Sequence, residues 1–144
     1  MSIFTCGTCG HLAFSSAPAA CPSCGSAQNK FTQSDNVFTE SAEKSKEAAV
    51  KHIPQVVVNK QCGLIPEQSC IDVVVRVGET LHPMEDKHHI QFIDCYVDDA
   101  FVSRISLTPG VYAAGAFHLK VEGKKVRVVE NCNLHGYWQT ENDL

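Results

Sequence analysis

The second half of this chain alternates between apolar and polar positions. From Ile71 to Val77, the residues Ile71, Val73, Val75 and Val77 fall on one side of an extended chain and Asp72, Val74 and Arg76 on the other. Similar runs occur at Gln55 to Lys60, Ile90 to Val97, Phe101 to Leu107, Val111 to Leu119 and Lys125 to Glu130. Asp98-Asp99, Pro109-Gly110 and Glu122-Gly123 mark turns between them. Short alternating runs punctuated in this way predict an antiparallel β-sandwich of immunoglobulin type.

Before Pro54 the pattern changes. Residues 34 to 50 are polar and charged; Lys44 and Lys46, with Lys51 just beyond, interleave with Glu40, Glu43 and Glu47. Their apolar periodicity is weak, so the stretch reads as a linker that holds two helical turns at most, from Ser41 to Ala49. Pro54 stops any helix there and biases Ile53 toward an extended conformation.

Residues 1 to 33 differ again. They contain few large apolar side chains but carry Cys6-Gly7-Thr8-Cys9-Gly10 and Cys21-Pro22-Ser23-Cys24-Gly25, joined by the small-residue run from Phe14 to Ala20. A unit this small needs a staple, and four thiolates supply one through a metal. The expected organisation is a four-cysteine metal domain over 1–33, a linker over 34–50 and a β-sandwich over 51–144, mainly β throughout.

The chain has 144 residues, a formal net charge of −4 and eight cysteines. No apolar run approaches the roughly 18 residues of a membrane span, so no membrane partner is expected. Met1 to Cys6 has neither a basic start nor an apolar stretch, so no signal peptide is read and the expected compartment is the cytoplasm. Eight cysteines in a reducing compartment point to metal or redox chemistry more than to disulfides. No Lys/Arg stripe is present, which argues against nucleic acid.

The Cys-x-x-Cys-Gly pairs are a strong metal signal, and four thiolates suit iron or zinc alike. Ala17-Pro18-Ala19-Ala20-Cys21-Pro22-Ser23-Cys24-Gly25, with Phe31, resembles the second half of the rubredoxin-like domains of rubrerythrins. That resemblance implies a one-electron iron centre on Cys6, Cys9, Cys21 and Cys24; the alternative is a zinc ribbon that only folds the N-terminus.

A second constellation lies downstream. Lys51-His52-Ile53-Pro54, His82-Pro83-Met84 with His88, and Cys132-Asn133-Leu134-His135-Gly136 offer one sulfur and four imidazoles. That is too many nitrogens for a structural zinc site, which closes with four ligands and is usually rich in sulfur. It suits a five-coordinate redox iron with one open position. The three motifs, in this order, resemble the superoxide reductases (desulfoferrodoxin and neelaredoxin).

The resemblance implies that His52, His82, His88 and His135 are equatorial ligands of iron, with His135 binding through Nδ1, and that Cys132 is the axial thiolate. It implies a superoxide reductase that makes hydrogen peroxide with electrons from rubredoxin or a similar donor, and a homodimer. The alternatives are a non-catalytic electron-transfer or redox-sensing iron protein and a zinc-binding structural protein.

Lys51 is the expected catalytic helper, a cation beside the open position that attracts superoxide and orients a proton-donating water. Many relatives have Glu before this Lys, where Val50 stands here; Val50 cannot ligate metal, which predicts an open or water-bound sixth position in the ferric state. Glu47 is the nearest upstream acid. His89 competes with His88 for the ligand role. His11 and His118 match no motif and read as bystanders. Cys62 and Cys70 bound a long hairpin tip; free thiols are the default there and a redox pair the minority reading. Cys95 reads as core packing.

Overall fold

The computed structural model describes residues 1–44 and 49–144. Its strands are β1 (Ile3–Cys6), β2 (Leu12–Phe14), β3 (Phe31–Gln33), β4 (Pro54–Asn59), β5 (Ile71–Val77), β6 (Ile90–Val97), β7 (Ala100–Ser106), β8 (Ala114–Leu119), β9 (Lys125–Cys132) and β10 (Gly136–Asp143). Among the described residues, two helices, α1 (Val37–Lys44) and α2 (Ala49–His52), lie between β3 and β4. The helix expected from Ser41 to Ala49 falls partly outside the described residues, as do Lys46 and Glu47. Within the described part, α1 begins earlier than expected, at Val37.

The strands form three antiparallel sheets, ordered β2-β1-β3, β10-β9-β6-β7 and β4-β5-β8. The last two pack face to face. Val73, Val75 and Val77 of β5 and Phe117 and Leu119 of β8 meet Ile93 and Cys95 of β6 and Val126 and Val128 of β9 in one buried cluster. β-branched side chains suit this pleated interface, and full burial of each contributes about 1.5–3 kcal/mol. The register Val56↔Val75 and Val75↔Gly115 keeps the apolar face of β5 inward.

Two expectations are corrected. The run from Val111 becomes strand only at Ala114. A seventh sandwich strand lies beyond the six runs that the pattern predicts: β10 pairs with β9 from Gly136↔Cys132 to Asp143↔Lys125. It is a polar edge strand in which only Trp138 is buried, so it carries no apolar alternation.

Strand β6 is buried along almost its whole length, on both faces. Its outer face carries Tyr96, which joins Val129, Ile3 and Leu12 in a second cluster, so the N-terminal sheet covers it. Polar contacts complete this joint. Tyr96 Oη donates to Leu12 O (2.7 Å), Tyr137 Oη to Gly10 O (2.7 Å) and Arg104 Nη1 to Cys9 O (2.8 Å). Arg104 also clasps the fully buried Asp94 through two bonds of 2.6 and 2.7 Å and lies over the Phe92 ring. His11 is buried here too, stacked on Tyr96 with its Nδ1 3.7 Å from Asp94 Oδ2.

Candidate metal centres

Four imidazoles and one thiol meet at one end of the sandwich. His52 ends α2, His82 and His88 lie between β5 and β6, Cys132 ends β9, and His135 lies in the turn before β10. Going round, the centroids of His52–His82, His82–His88, His88–His135 and His135–His52 are 4.5, 4.6, 4.9 and 5.0 Å apart. Successive rings are close to perpendicular, at 73°, 78°, 81° and 88°. Across the circle, His52 and His88 are 6.2 Å apart and tilted by 33°. This is a square of imidazoles.

The nitrogens face inward. His82 Nε2 lies 3.1 Å from His52 Nε2. Two neighbouring nitrogens each about 2.1 Å from one ion stand about 3.0 Å apart, so the spacing fits a shared metal. Cys132 Sγ is 3.6 Å from His82 Nε2 and 3.8 Å from His135 Nδ1. Ligand atoms of His52, His88, Cys132 and His135 all lie within 4.8 Å of one another. His88 Nε2 is buried with no hydrogen-bond partner, an arrangement that costs free energy unless something binds it.

Backbone geometry sets these positions. His82 Nδ1 lies 2.7 Å from Pro83 O; donation there leaves the Nε2 lone pair for the centre. Trp138 stacks on His52 at 5.0 Å and donates from Nε1 to His135 O at 3.1 Å, so one indole braces two imidazoles. Gly78 has φ +90°, and a Cβ there would lie 2.6 Å from Lys51 O. Only glycine lets β5 end this close to α2. Gly136, at φ +77°, similarly abuts Ser41 Oγ of α1, which accepts from Tyr137 N at 2.9 Å.

Burial sets the protonation states. It lowers the His82 pKa to about 4, opposed by the Pro83 carbonyl, so that ring is neutral and able to ligate. It lowers His88 as well, helped by the neighbouring His135 and Lys51 charges. The Cys132 thiol is pushed up by burial and by Glu130, so a cation must displace its proton. Glu130 is fully buried with neither carboxyl oxygen hydrogen-bonded, and burial raises its pKa far above the usual carboxylate range.

The second cluster is sulfur alone. Cys6 and Cys24 Sγ are 3.7 Å apart, as are Cys9 and Cys21 Sγ. Sulfurs about 2.3 Å from one tetrahedral ion stand about 3.8 Å apart, so the four thiols are spaced for a metal. Burial pushes the Cys9 thiol up to about 12, whereas Ser26 holds the Cys24 thiol down to about 6.

The desulfoferrodoxin family model matches residues 42–141, which span the whole imidazole–thiol constellation. The chain belongs to the desulfoferrodoxin family. A desulfoferrodoxin of Desulfarculus baarsii is 43% identical over 68 residues, 47% of this chain and 52% of that protein. A superoxide reductase of Pyrococcus abyssi is 31% identical over 106 residues, 65% of this chain and 87% of that protein. The solved superoxide reductase from Nanoarchaeum equitans superposes with a TM-score of 0.53 at 29% identity, covering 65% of this chain and 93% of that one. The chain spans between half and two thirds of the length of the first desulfoferrodoxins it matches. Residues 1–41, with all four N-terminal cysteines, lie outside the family match.

Other residues of this desulfoferrodoxin module lie outside the square. His89 turns away from the square: its Nδ1 lies 3.0 Å from Glu85 O, and its N–H donates to Asn133 Oδ1 at 2.9 Å. Lys51, directly before His52, is exposed and its charge acts on His88, and Val50 is half exposed. Cys95 is buried in the core.

Cys62 and Cys70 are not free thiols. They form a disulfide, closing the β4–β5 loop with Cα atoms 5.3 Å apart. The loop had only to return its two ends to paired strands for the thiols to meet, since Asn59 is opposite Asp72. Beside them, His118 Nδ1 lies 2.7 Å from Asp72 Oδ1. Linear sequence held no sign of this pair: the two residues are 46 positions apart and meet through the β5–β8 register.

Proposed function

We propose that this chain is a superoxide reductase that reduces superoxide by one electron to hydrogen peroxide. His52, His82, His88, His135 and Cys132 would hold its iron. The observation that carries this reading is the square of four inward-facing imidazoles with one thiol beside it. The iron, when bound in its ferrous form, supplies the electron.

The chain's own residues do the rest. Cys132 belongs to the buried sandwich core, so its sulfur reaches the imidazoles from inside the protein. Lys51 is exposed, and its charge reaches His88. It attracts superoxide and holds a water that passes a proton to the departing peroxide. Val50 offers no carboxylate, so its side chain would leave a bound ferric iron open to water or an anion. Trp138 and the Pro83 carbonyl keep His52 and His82 from rotating out of the square.

Residues 1–33 form the metal unit that takes iron or zinc on Cys6, Cys9, Cys21 and Cys24, and 51–144 form the catalytic module, joined by 34–50. A rubredoxin-type protein supplies electrons. The protein works in the cytoplasm; among the described residues no helix is long and apolar enough to cross a membrane. It acts as a homodimer, a reading supported by Val57 and Val74, cross-strand neighbours exposed on the outer face of β4 and β5.

Pulse radiolysis of the reduced, iron-loaded protein tests the activity. Fast oxidation of the iron with one peroxide formed per superoxide is expected. No superoxide-dependent oxidation, or oxidation with dioxygen as the product, removes the proposal. Sedimentation of the same sample reads the oligomeric state.

A further inference from the structure

A third group of metal-ligand side chains lies at the far end of the β4-β5-β8 sheet. Cys62, Cys70, Asp72 and His118 each place one ligand atom within 4.8 Å of the other three. The register builds this group. Asp72 stands opposite Asn59 on one side and His118 on the other, in one row across three strands. The loop from Asn59 to Ile71 then folds both cysteines back over that row. Cys62 Sγ lies 2.6 Å from Asp72 Oδ1 and 3.7 Å from His118 Nδ1, and Cys70 Sγ lies 3.7 Å from Asp72 Oδ1.

We propose that in its dithiol form this group is a binding site for a divalent cation of the zinc class, held by two thiolates, one carboxylate and one imidazole. Sulfur and nitrogen donors in this ratio select such an ion over calcium or magnesium, which take oxygen ligands. Four donors complete a closed tetrahedral site. Binding needs the donors to spread: the sulfurs part to the 3.7 Å seen between the N-terminal thiols, and Asp72 Oδ1 moves from hydrogen-bond to ligand spacing against Cys62 and His118. A cavity of about 280 Å³ beside Cys70 and His118, bordered by Ile65, Gln68 and Lys120, gives access from solvent.

The disulfide is the alternative state of the same residues. Hydrogen peroxide takes two electrons from the two bound thiolates; with two protons this gives the Cys62–Cys70 bond, two waters and a released cation. Oxidation removes two of four ligands together, so the remaining carboxylate and imidazole cannot retain the ion. The site is a metal-binding switch thrown by a two-electron oxidant, and its ligands are distinct from both other clusters.

The test uses the full chain with both other sites loaded and the cysteines reduced. Zinc ion is added, excess is removed by gel filtration, and bound zinc is counted by mass spectrometry. The wild type is compared with the Cys62→Ser/Cys70→Ser double variant and with His118→Ala, whose ring is 36% exposed and whose loss spares the core. The wild type should bind one zinc per chain more than either variant and release that one on addition of peroxide, with no matching release from the variants. Superoxide turnover of His118→Ala should equal that of the wild type, which separates this outcome from any failure of the proposed activity. Equal zinc counts in the reduced wild type and both variants overturn the proposal, as does disulfide formation with the extra zinc still bound.

Discussion

Replacing Arg104 with Ala should loosen the joint between the N-terminal unit and the sandwich. Asp94 is 0% exposed and Arg104 12%, so the pair is out of water. Arg104→Ala leaves a buried carboxylate without its cation, a change that costs about 3–5 kcal/mol. The same guanidinium bonds Cys9 O and covers Phe92, but those losses overlap with the first and do not add to it. The assay is urea unfolding of the metal-loaded protein, followed by the fluorescence of its single tryptophan, Trp138. Hydrogen exchange at Gly10, whose amide bonds Cys6 O, reads the joint locally and should speed up in the variant. An Asp94→Leu/Arg104→Met double variant, which removes both charges, should recover most of the loss. A single-variant cost below about 1 kcal/mol, with Gly10 exchange unchanged, would refute the reasoning, because a buried charge would then be tolerated unpaired.

Lys51→Ala should slow the reaction with superoxide by about tenfold or more and weaken its dependence on ionic strength, whereas Lys51→Arg keeps both; stopped-flow kinetics at two salt concentrations checks this. Cys132→Ser should abolish the thiolate-to-iron absorption band and lower iron affinity beyond the roughly 10–100-fold that loss of an outer-shell partner costs, measured by chelator competition. Gly78→Ala should destabilise the fold by at least about 1–3 kcal/mol and lower iron content, since the new Cβ strikes the Lys51 carbonyl at a left-handed position. In the chelated, metal-free chain His82 holds its proton only below about pH 4, while in the unfolded chain it does so below about 6.5. Its contribution to stability is therefore full above pH 6.5 and falls by about 3 kcal/mol toward pH 4, a slope in the urea midpoint that His82→Asn should reduce.

The strands of the sandwich core were legible because valines on alternate positions meet a single apolar layer. β10 was not, because an edge strand gains its place by pairing with β9 and buries one large side chain, Trp138. Asp94 looks like a surface residue in sequence. It is buried because a sheet about 80 residues earlier in the chain covers it, and nothing local announces that. At the imidazole square the motif order pointed to the residues that meet, but not to their cyclic order, which depends on how two loops and two strand ends fold together. The choice between His88 and His89 likewise turned on which ring the Glu85 carbonyl takes. Asp72 with His118 had no linear signal at all, since register alone joins them.

The joint at β6 has one further consequence. Arg104, Tyr137 and Tyr96 grip the N-terminal unit by three main-chain carbonyls, those of Cys9, Gly10 and Leu12. Every residue type presents a carbonyl, so this socket recognises the path of a turn and is largely blind to the side chains along it. Much of the small domain is therefore free to drift in sequence, or to be exchanged for another knuckle of the same shape, while the sandwich that receives it stays as it is. Modules that share only a backbone path become interchangeable parts under such a rule.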